Sequence, residues 1–337
     1  MARPVLTVFP LLVSNALGTL SLRAPRTSGA LGGAMCTTLH RCYLAIQIRS
    51  RSLFILLFLT ACVTSAHAQR ISIEVQDGSG KTIASANSSS KKRSTTLTLN
   101  HEYQAGDRII VHGPQWMTLH ISDEVPECSV FLSSGAHHSL TFEVPYGGGE
   151  QQTGSAYSPG SFAGTSHSLT ISPVPSRNRL IRRNLALNPC DARTSSPTLF
   201  PHASTNSVSR DAYDFEARNA IDGAISNRHH GEWPYQSWGP LIRTDLWWKL
   251  EFGREVQIDT LRIMLRTDFP HDSYWKSAVV EFSDGTSLPL EMTSTSDFQD
   301  FHFPAKRVSW LRLTHLVSTE NRWSALIEFE AWGNDLY

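Results

Sequence analysis

Charged residues are scarce in this sequence, and its first part has none of negative sign. Asp, Glu, Lys and Arg make up 18% of the 337 residues, against 40% hydrophobic residues. This composition argues against intrinsic disorder and against a coiled coil. Residues 1–68 contain six Arg but no Lys, Asp or Glu, so the rest of the chain carries 24 basic and 30 acidic residues. That acidic excess argues against nucleic-acid binding, which depends on clustered Lys and Arg.

A long apolar run is also missing from the leader. Residues 52–63 are apolar, but a spanning helix needs about 20 such residues. Arg49 and Arg51 precede the run and Ala66-His67-Ala68 follows it, a pattern typical of a secretory signal peptide cleaved after Ala68. Signal peptides have about 15–30 residues, so Met35 is a better start than Met1, and we interpret residues 1–34 as an upstream extension.

A second cleavage site remains open in the same leader. Leu59-Thr60-Ala61-Cys62 resembles a bacterial lipobox, which would leave a lipid on Cys62 and tether the protein to a membrane. We favour cleavage after Ala68 because that site has the small-x-small form. With either site we expect an exported protein that is secreted, periplasmic or associated with the cell envelope.

Cysteine is rare outside this leader. Of five cysteines, only Cys128 and Cys190 follow residue 68. An exported protein can pair them, but one lies in each half of the remaining chain and no metal-binding spacing is present. We therefore favour two unpaired buried cysteines over a disulfide.

Catalytic motifs are absent as well. The sequence contains neither G-x-S-x-G nor H-E-x-x-H, the patterns typical of serine hydrolases and of many zinc hydrolases. A glycosidase needs only two suitably spaced carboxylates, so a glycan-active hydrolase stays an alternative. The prediction is that the protein is not an enzyme.

Short alternating strands fill residues 69–148. Ile71, Ile73 and Val75 alternate with polar residues, a period typical of a half-buried strand. Similar runs, separated by Gly and Pro, predict a small β-sandwich; they lie at 96–99, 108–112, 117–121, 129–132 and 139–144. Residues 149–183 are rich in Gly, Ser and Pro and are interpreted as a connector, with one strand at 168–171.

A second β-sandwich is predicted over residues 184–335. Apolar side chains alternate along 246–252 and 261–265, and Asp284-Gly285 indicates a hairpin. Strand number and spacing favour a jelly roll. The predicted fold class is therefore all-β, with two β-sandwich domains.

The second module resembles the discoidin family, also called coagulation-factor C-type or galactose-binding-like domains. The resemblance rests on an ordered series of elements: 184–186, 219–223, 248–253, 310–313 and 328–333. The strings HGEWPYQSWG (230–239) and RTDFPHDSYW (266–275) are similar to a group of bacterial carbohydrate-binding proteins in which a small β domain precedes the discoidin-like one. The resemblance implies an eight-stranded jelly roll that binds glycans through loops at one end and holds a structural calcium ion.

Carried over by position, the calcium site would use the side chains of Asp222 and Glu328. The carbonyls of Asn219, Ala224 and Ile327 would complete it, and Asn227 stands where the family usually has Thr or Ser. Carboxylates and carbonyls are the hard oxygen ligands that calcium prefers. The alternative is that Asp222 only caps a turn.

Two loops, 227–245 and 266–276, carry the candidate glycan-binding residues. Sugars stack their C–H faces on aromatic rings and bond through their hydroxyls to forked polar groups, and Arg offers such a fork. Arg266 is predicted to project outward at the end of its strand. The candidates are His229, His230, Trp233, Tyr235, Trp238, Arg243, Arg266, Asp268, His271, Asp272, Tyr274 and Trp275.

We place the ligand between these loops, stacked on Trp233, Tyr235 or Trp275 and bonded by Arg266, His271 and Asp272. The alternative is that loop Trp and His side chains plug the barrel end. A protein- or membrane-surface adhesion module is the second functional class, but we expect few solvent-facing Leu or Phe side chains in these loops, which favours a sugar. The expected partner is a glycan or polysaccharide, with no nucleic acid, and with a membrane only if Cys62 is lipidated.

Overall fold

The computed structural model describes residues 70–88, 94–133, 138–146, 153–266 and 273–336. These residues form antiparallel sheets with a few short helical turns, so the predicted all-β fold class is confirmed. The leader, with its start site, signal cleavage and lipidation at Cys62, lies outside the described residues. In the described part of the chain no helix is long and apolar enough to cross a membrane.

The first half of the described chain forms two sheets around one apolar core. Their inward side chains follow the predicted period of two: Ile73 pairs with Val111 and Val75 with Ile109 in neighbouring strands, and all four are buried. The strands are β1 (Ser72–Gln76), β2 (Thr82–Asn87), β3 (Thr95–Asn100), β4 (Arg108–His112), β5 (Trp116–His120), β6 (Cys128–Leu132), β7 (Ser139–Glu143) and β8 (Ser166–Pro173). One sheet has the order β2-β1-β4-β7, and the other contains β6-β5-β8-β3.

The second half forms a seven-stranded sheet of order β14-β13-β15-β12-β16-β9, with β11 beside β12. Its strands, and one that joins the first half, are β9 (Arg183–Asn184), β10 (Leu199–Phe200), β11 (His202–Thr205), β12 (Trp248–Leu265), β13 (Trp275–Phe282), β14 (Ser287–Glu291), β15 (Gln299–Ser318) and β16 (Leu326–Asp335). The register of β12 against β15 shifts after Glu251, an irregularity that bends a strand. The described sheet thus has seven strands where the resemblance implies eight.

In the described residues, helical structure is limited to single turns. They lie at Thr153–Ala156, Ser176–Arg179, Ser209–Asp211, Tyr213–Phe215 and Ala217–Ala220. The last three follow one another directly before the predicted calcium and glycan loops. The predicted Asp284-Gly285 hairpin joins β13 to β14: the Gly285 N–H donates to the Phe282 carbonyl at 3.0 Å, and Gly285 adopts a φ of 83°.

The two halves are joined by strand pairing and by a disulfide. β10 pairs with β6 of the first half, Phe200 opposite Phe131. Cys190 forms a disulfide with Cys128, their Cα atoms 6.8 Å apart, so the prediction of unpaired cysteines is wrong. The chain before β10 lies against the first core, which brings Cys190 to β6. A contact between positions 62 residues apart leaves no local pattern in the sequence.

The segment interpreted as a connector takes part in both halves. β8 lies between β5 and β3 in the sheet of the first half that contains β6-β5-β8-β3. Further along, Arg183 donates to the Asp335 carboxylate at 2.5 Å and Arg182 to Asp259 at 2.6 Å, which attaches the segment to the second half. The described residues belong to one compact unit.

Candidate functional site

Three loops meet at one end of the second sheet and are fixed there by backbone hydrogen bonds. The Trp238 N–H donates to the Leu326 carbonyl at 2.8 Å, and Leu326 donates back at 3.0 Å. The Arg266 N–H donates to the Ala325 carbonyl at 3.1 Å, and the Ser209 N–H donates to Gly239 at 2.8 Å. The loop before β12, the end of β12 and the β15–β16 loop are therefore held together.

A cleft of about 350 Å³ lies between these loops, here called the Arg266 cleft. Ligand sites in proteins typically have volumes of about 300–1,000 Å³. The described residues that line it include two Arg and one His but no carboxylate; they are Ser209, Arg210, Phe215, His230, Gly239, Arg266, Trp323 and Ser324. This combination of aromatic rings and forked hydrogen-bond donors suits a neutral or acidic polyhydroxylated ligand.

Trp323 supplies the open aromatic face of this cleft. Its side chain is 52% exposed, so the indole is open to solvent and available for stacking. On the opposite loop the Arg210 guanidinium lies 4.8 Å from the centre of the Phe215 ring. Arg210 has a φ of 55°, a left-handed backbone conformation that non-glycine residues adopt uncommonly.

Gly239 allows the Phe215 ring to approach the cleft floor. A Cβ at position 239 would lie 2.6 Å from Cδ1 of Phe215, much closer than carbon atoms approach without a bond. The Gly239 N–H also donates to the Phe215 carbonyl at 3.1 Å. The glycine at the end of the HGEWPYQSWG string therefore serves close packing.

Arg266 lines the cleft from below. Its side chain is only 6% exposed, so the prediction that it projects outward is wrong. The residue follows directly on β12, and its backbone is bonded to Ala325 rather than ending in solvent. A guanidinium held inside the wall loses little conformational freedom when it binds a ligand.

The aromatic loop, residues 229–239, is predicted to bind one ligand, but its side chains lie on two different faces. His230 lines the Arg266 cleft, and its neighbour His229 packs edge-on against Tyr235, with ring centres 5.1 Å apart. Trp233 lies away from this cleft, where its backbone N–H donates to the Ser155 carbonyl at 2.8 Å. The structure thus does not bring Trp233 to Arg266.

Trp238 and Trp275 belong to the core. They are 0% and 1% exposed and stack on each other with ring centres 5.3 Å apart. The Trp238 indole N–H donates to the Ser207 carbonyl at 3.0 Å, so these rings plug the end of the sheet. Predicting them as ligand contacts is therefore wrong, because no ligand reaches a buried ring.

The remaining predicted ligand residues contribute nothing visible to the Arg266 cleft. Tyr274 is half-buried and packs against the core. Arg243 is exposed and bonds through two nitrogens to the Asp245 carboxylate, at 2.8 and 2.6 Å. Three further predictions, Asp268, His271 and Asp272, lie outside the described residues.

An apolar groove of about 660 Å³ lies beside the Arg266 cleft and shares Trp323 with it. Leu241 and Ile242 in this groove are 47% and 45% exposed, and Val317 is 45% exposed. Leu241 and Ile242 lie in the loop 227–245, which therefore exposes two apolar side chains beside its polar and aromatic ones.

The predicted calcium ligands Asp222 and Glu328 are both buried and adjacent. The Gly223 N–H donates to Oε2 of Glu328 at 3.1 Å. Oδ1 of Asp222 accepts the Ala224 N–H at 2.8 Å, and its Oδ2 accepts the Gln236 amide at 2.9 Å. Asp222 does cap its turn, and its second oxygen faces the aromatic loop.

The charges of Asp222 and Glu328 favour a bound cation between them. Burial raises the pKa of Asp222 to about 6, although the nearby Arg218 guanidinium opposes the shift. Burial, reinforced by the charge of Asp222, raises the pKa of Glu328 well above its usual range. Oε1 of Gln236 is buried without a hydrogen-bond partner, and an amide oxygen of this kind is a calcium ligand. By donor type, two carboxylates and an amide oxygen match the ligands that calcium takes.

The other predicted metal ligands lie nearby with their side chains engaged. The Asn219 amide donates to the Tyr213 carbonyl at 2.8 Å, and the Asn227 amide to Ser296 at 2.7 Å. Ala224 and Ile327 offer only backbone carbonyls. Among the described residues no three His, Cys, Asp or Glu side chains converge on one point, so a cation here would depend on two carboxylates and neutral oxygens.

Three contributors were not predicted from the sequence: Trp323, Phe215 and Gln236. Trp323 follows Asn321-Arg322 in a polar stretch without strand period, and that interruption was the available signal. Gln236 lies within the HGEWPYQSWG string, but the aromatic residues of that string, Tyr235 and Trp238 among them, indicate stacking on a sugar and not a metal ligand. Phe215 carries no local signal for a ligand cleft.

No family model and no curated protein matches the chain. It is similar in structure to chitosan-binding module 1 from a chitosanase/glucanase of Paenibacillus sp. IK-5, with 19% identity over 45% of this chain and 99% of that one, at a TM-score of 0.31. It is also similar to the lectin domain of Lectinolysin complexed with Lewis B antigen, with 16% identity over 44% and 95% of the two chains, at 0.34. A fucose binding module of Streptococcus pneumoniae, SpX-3, has 14% identity over 44% and 96%, at 0.32. These solved structures are carbohydrate-binding domains.

Proposed function

We propose that this protein is an exported, non-catalytic glycan-binding protein with a discoidin-like second half. The observation that carries the proposal is the Arg266 cleft, which is lined by an exposed Trp, a buried Arg and an exposed His. A flat apolar face beside forked donors matches the two surfaces of a sugar ring, its C–H face and its hydroxyl edge. The modules to which the fold is similar are said by their names to bind chitosan, Lewis B antigen and fucose.

Binding would proceed by stacking a sugar ring on Trp323 and directing adjacent hydroxyls to Arg266. His230, on the opposite rim, would bond a third hydroxyl. Because the loops are fixed by backbone pairs such as Trp238 with Leu326, the site would be formed before the ligand arrives, which lowers the entropic cost of binding. Calcium, when bound at Asp222 and Glu328, would neutralise the paired carboxylates and hold Gln236, and with it the loop that carries His230.

A glycan array tests this function. The full chain should bind a restricted set of glycans, and binding should weaken when a chelator removes calcium. Trp323→Ala should lower the affinity about 30-fold, the loss typical of a buried aromatic anchor worth about 2 kcal/mol. Trp310→Ala is the matched control, since Trp310 is a half-buried indole outside the cleft, and it should leave binding unchanged.

Three outcomes would contradict the proposal. A folded protein that binds no glycan on a broad array would rule out glycan binding. Hydrolysis of a glycan on the array would show that the protein is a glycan-active hydrolase instead. Equal loss in the two Trp variants would move the ligand away from the Arg266 cleft.

A second function, adhesion to a membrane or protein surface, is favoured by the apolar groove at Leu241, Ile242 and Val317. Side chains of this kind insert into lipid or pack on a partner. Vesicles with anionic lipids distinguish the two functions: sedimentation that weakens sharply with salt, and that Leu241→Ser abolishes, would support adhesion. Glycan binding should instead depend little on salt.

A further inference from the structure

A second cleft lies where the two halves meet, on the side of the aromatic loop opposite the Arg266 cleft. It has a volume of about 410 Å³ and is here called the junction cleft. The first half contributes Tyr103 and Tyr146, the turn after residue 152 contributes Ser155 and Ser161, and the second half contributes Glu232 and Trp233. None of these residues is used by the glycan site proposed above.

Three hydroxyl groups in the wall of this cleft have no hydrogen-bond partner although their side chains are more than nine-tenths buried. They belong to Tyr103, Ser155 and Ser161. Buried polar groups in folded proteins are nearly always hydrogen-bonded, and an exception calls for an explanation, of which a bound water, ion or ligand is one. Three of them around one cleft mark a place where a hydroxyl-rich molecule would be held.

The wall that carries these hydroxyls is packed firmly. The Tyr103 ring lies 4.3 Å from the His167 ring and 6.2 Å from Phe162, centre to centre, so the ring is packed on both sides. The Ser155 carbonyl accepts the Trp233 N–H at 2.8 Å. The Arg218 guanidinium covers the Tyr157 ring at 4.6 Å. Burial raises the pKa of Tyr103, which keeps the phenol protonated and able to donate.

The charge of the cleft narrows the class of ligand. Glu102 and Glu232 are exposed at its rim, and none of the described residues that line it is Lys or Arg. Aromatic rings, hydroxyls and carboxylates together suit a sugar that is neutral or carries an amino group, and they disfavour an acidic sugar by like-charge repulsion. We propose that the junction cleft is a second saccharide site, specific for neutral or aminated sugars.

The test uses the full chain carrying Trp323→Ala, which removes the aromatic platform of the Arg266 cleft. The probe is an array of neutral, aminated and uronic-acid oligosaccharides. The variant should retain binding to neutral or aminated members. Adding Tyr103→Phe and Ser155→Ala should lower that affinity about tenfold, as expected for two lost hydrogen bonds. Ser237→Ala is the control, because Ser237 also has a buried unpartnered hydroxyl but lies outside the cleft, and it should change nothing.

Thermal unfolding of the same variants provides the second measurement. Hydroxyls without a partner in the free protein can be removed with no fall in Tm. A lower Tm with unchanged glycan binding would show that internal water satisfies them, and it would overturn the proposal. If the Trp323→Ala chain binds no glycan, the proposal of a second site is also overturned, whereas the proposal that the Arg266 cleft binds glycans still stands. Retained binding that the junction variants do not weaken would contradict it too.

Discussion

The Arg266 cleft and the junction cleft share one loop but present opposite chemistry. His230 faces the first and Trp233 the second, three residues further along. The described lining of the first has Arg and His without carboxylates, whereas that of the second has Glu without Arg or Lys. The short aromatic string therefore contributes residues to two surfaces. A prediction that treats the string as one site assigns the same ligand to two surfaces of different charge.

The two clefts also differ in how their walls are held. The Arg266 cleft lies within the second half, and its loops are joined by backbone pairs such as Trp238 with Leu326. The junction cleft has walls from both halves, which the Cys128–Cys190 disulfide and the β6–β10 pairing hold together. A change that weakens the contacts between the two halves should therefore disturb the junction cleft more than the Arg266 cleft.

The largest expected effect comes from removing the disulfide. Cys128→Ser with Cys190→Ser should lower the free energy of unfolding by about 4 kcal/mol, the entropy of closing a loop of this length. It should also weaken the junction-cleft ligand more than the Arg266-cleft ligand. Urea unfolding and titration of both ligands measure the two effects. Equal loss at both clefts would show that the comparison is wrong.

Calcium should have the next largest effect on stability. At a hundredfold excess over its Kd, a bound ion adds about 2.7 kcal/mol, which corresponds to about 5–10 °C in Tm for a chain of this size. Asp222→Asn with Glu328→Gln should remove this response. Calorimetry with calcium and with chelator provides the measurement, and a Tm that ignores calcium would contradict the site.

The same pair of carboxylates gives a pH dependence of known sign. Their pKa values are raised in the folded protein, to about 6 for Asp222. Stability from this pair is therefore present at low pH and is lost as the pH rises through about 6. We expect the metal-free Tm to fall between pH 5 and pH 8, and calcium to reverse part of the fall. Glu216, whose burial raises its pKa to about 7, acts in the same direction, so the Asn and Gln variants isolate the pair.

Arg266 tests the charge of its cleft. Arg266→Lys keeps the charge but loses the planar fork, and should weaken the glycan about 10-fold, near 1.4 kcal/mol. The junction-cleft ligand should be unaffected. We expect Arg266→Ala to abolish binding, but the burial of this side chain means that Tm must be measured alongside. Titration calorimetry of the Lys variant gives the cleaner result, and unchanged affinity would exclude Arg266 as a ligand contact.

Ionic strength should have the smallest effect. Hydrogen bonds and stacking to a neutral sugar are barely screened, so raising salt from about 0.05 to 0.5 M should change the affinity less than about twofold. An affinity that collapses with salt would favour the apolar groove and an anionic surface. Titrations at the two salt concentrations measure this.

The strands could be predicted from the sequence because most of them alternate. Ile71 to Val75 and Leu246 to Phe252 display a period of two that survives in β1 and β12. β2 was missed because its Ala and Ser side chains are partly exposed on both faces. The disulfide and the β6–β10 pairing could not be predicted from local sequence patterns, because both depend on contacts between segments that are distant in the chain.

The candidate site could be predicted only in outline. Of the predicted residues, Arg266 and His230 line one cleft, and the carboxylates Asp222 and Glu328 lie beside each other. Trp238, by contrast, has the same residue type and loop context as an exposed sugar platform, and only packing distinguishes the two. Trp323, the open platform, lies in a loop without any repeating pattern, so its exposure had to come from the structure.

The most direct test of the central claim is a crystal structure of the full chain with the glycan that binds best on the array. We expect a sugar ring stacked on the Trp323 indole, with its hydroxyls within hydrogen-bond distance of Arg266 and His230. A ring bound elsewhere, with Trp323 uncovered, would contradict the assignment of the Arg266 cleft as the glycan site.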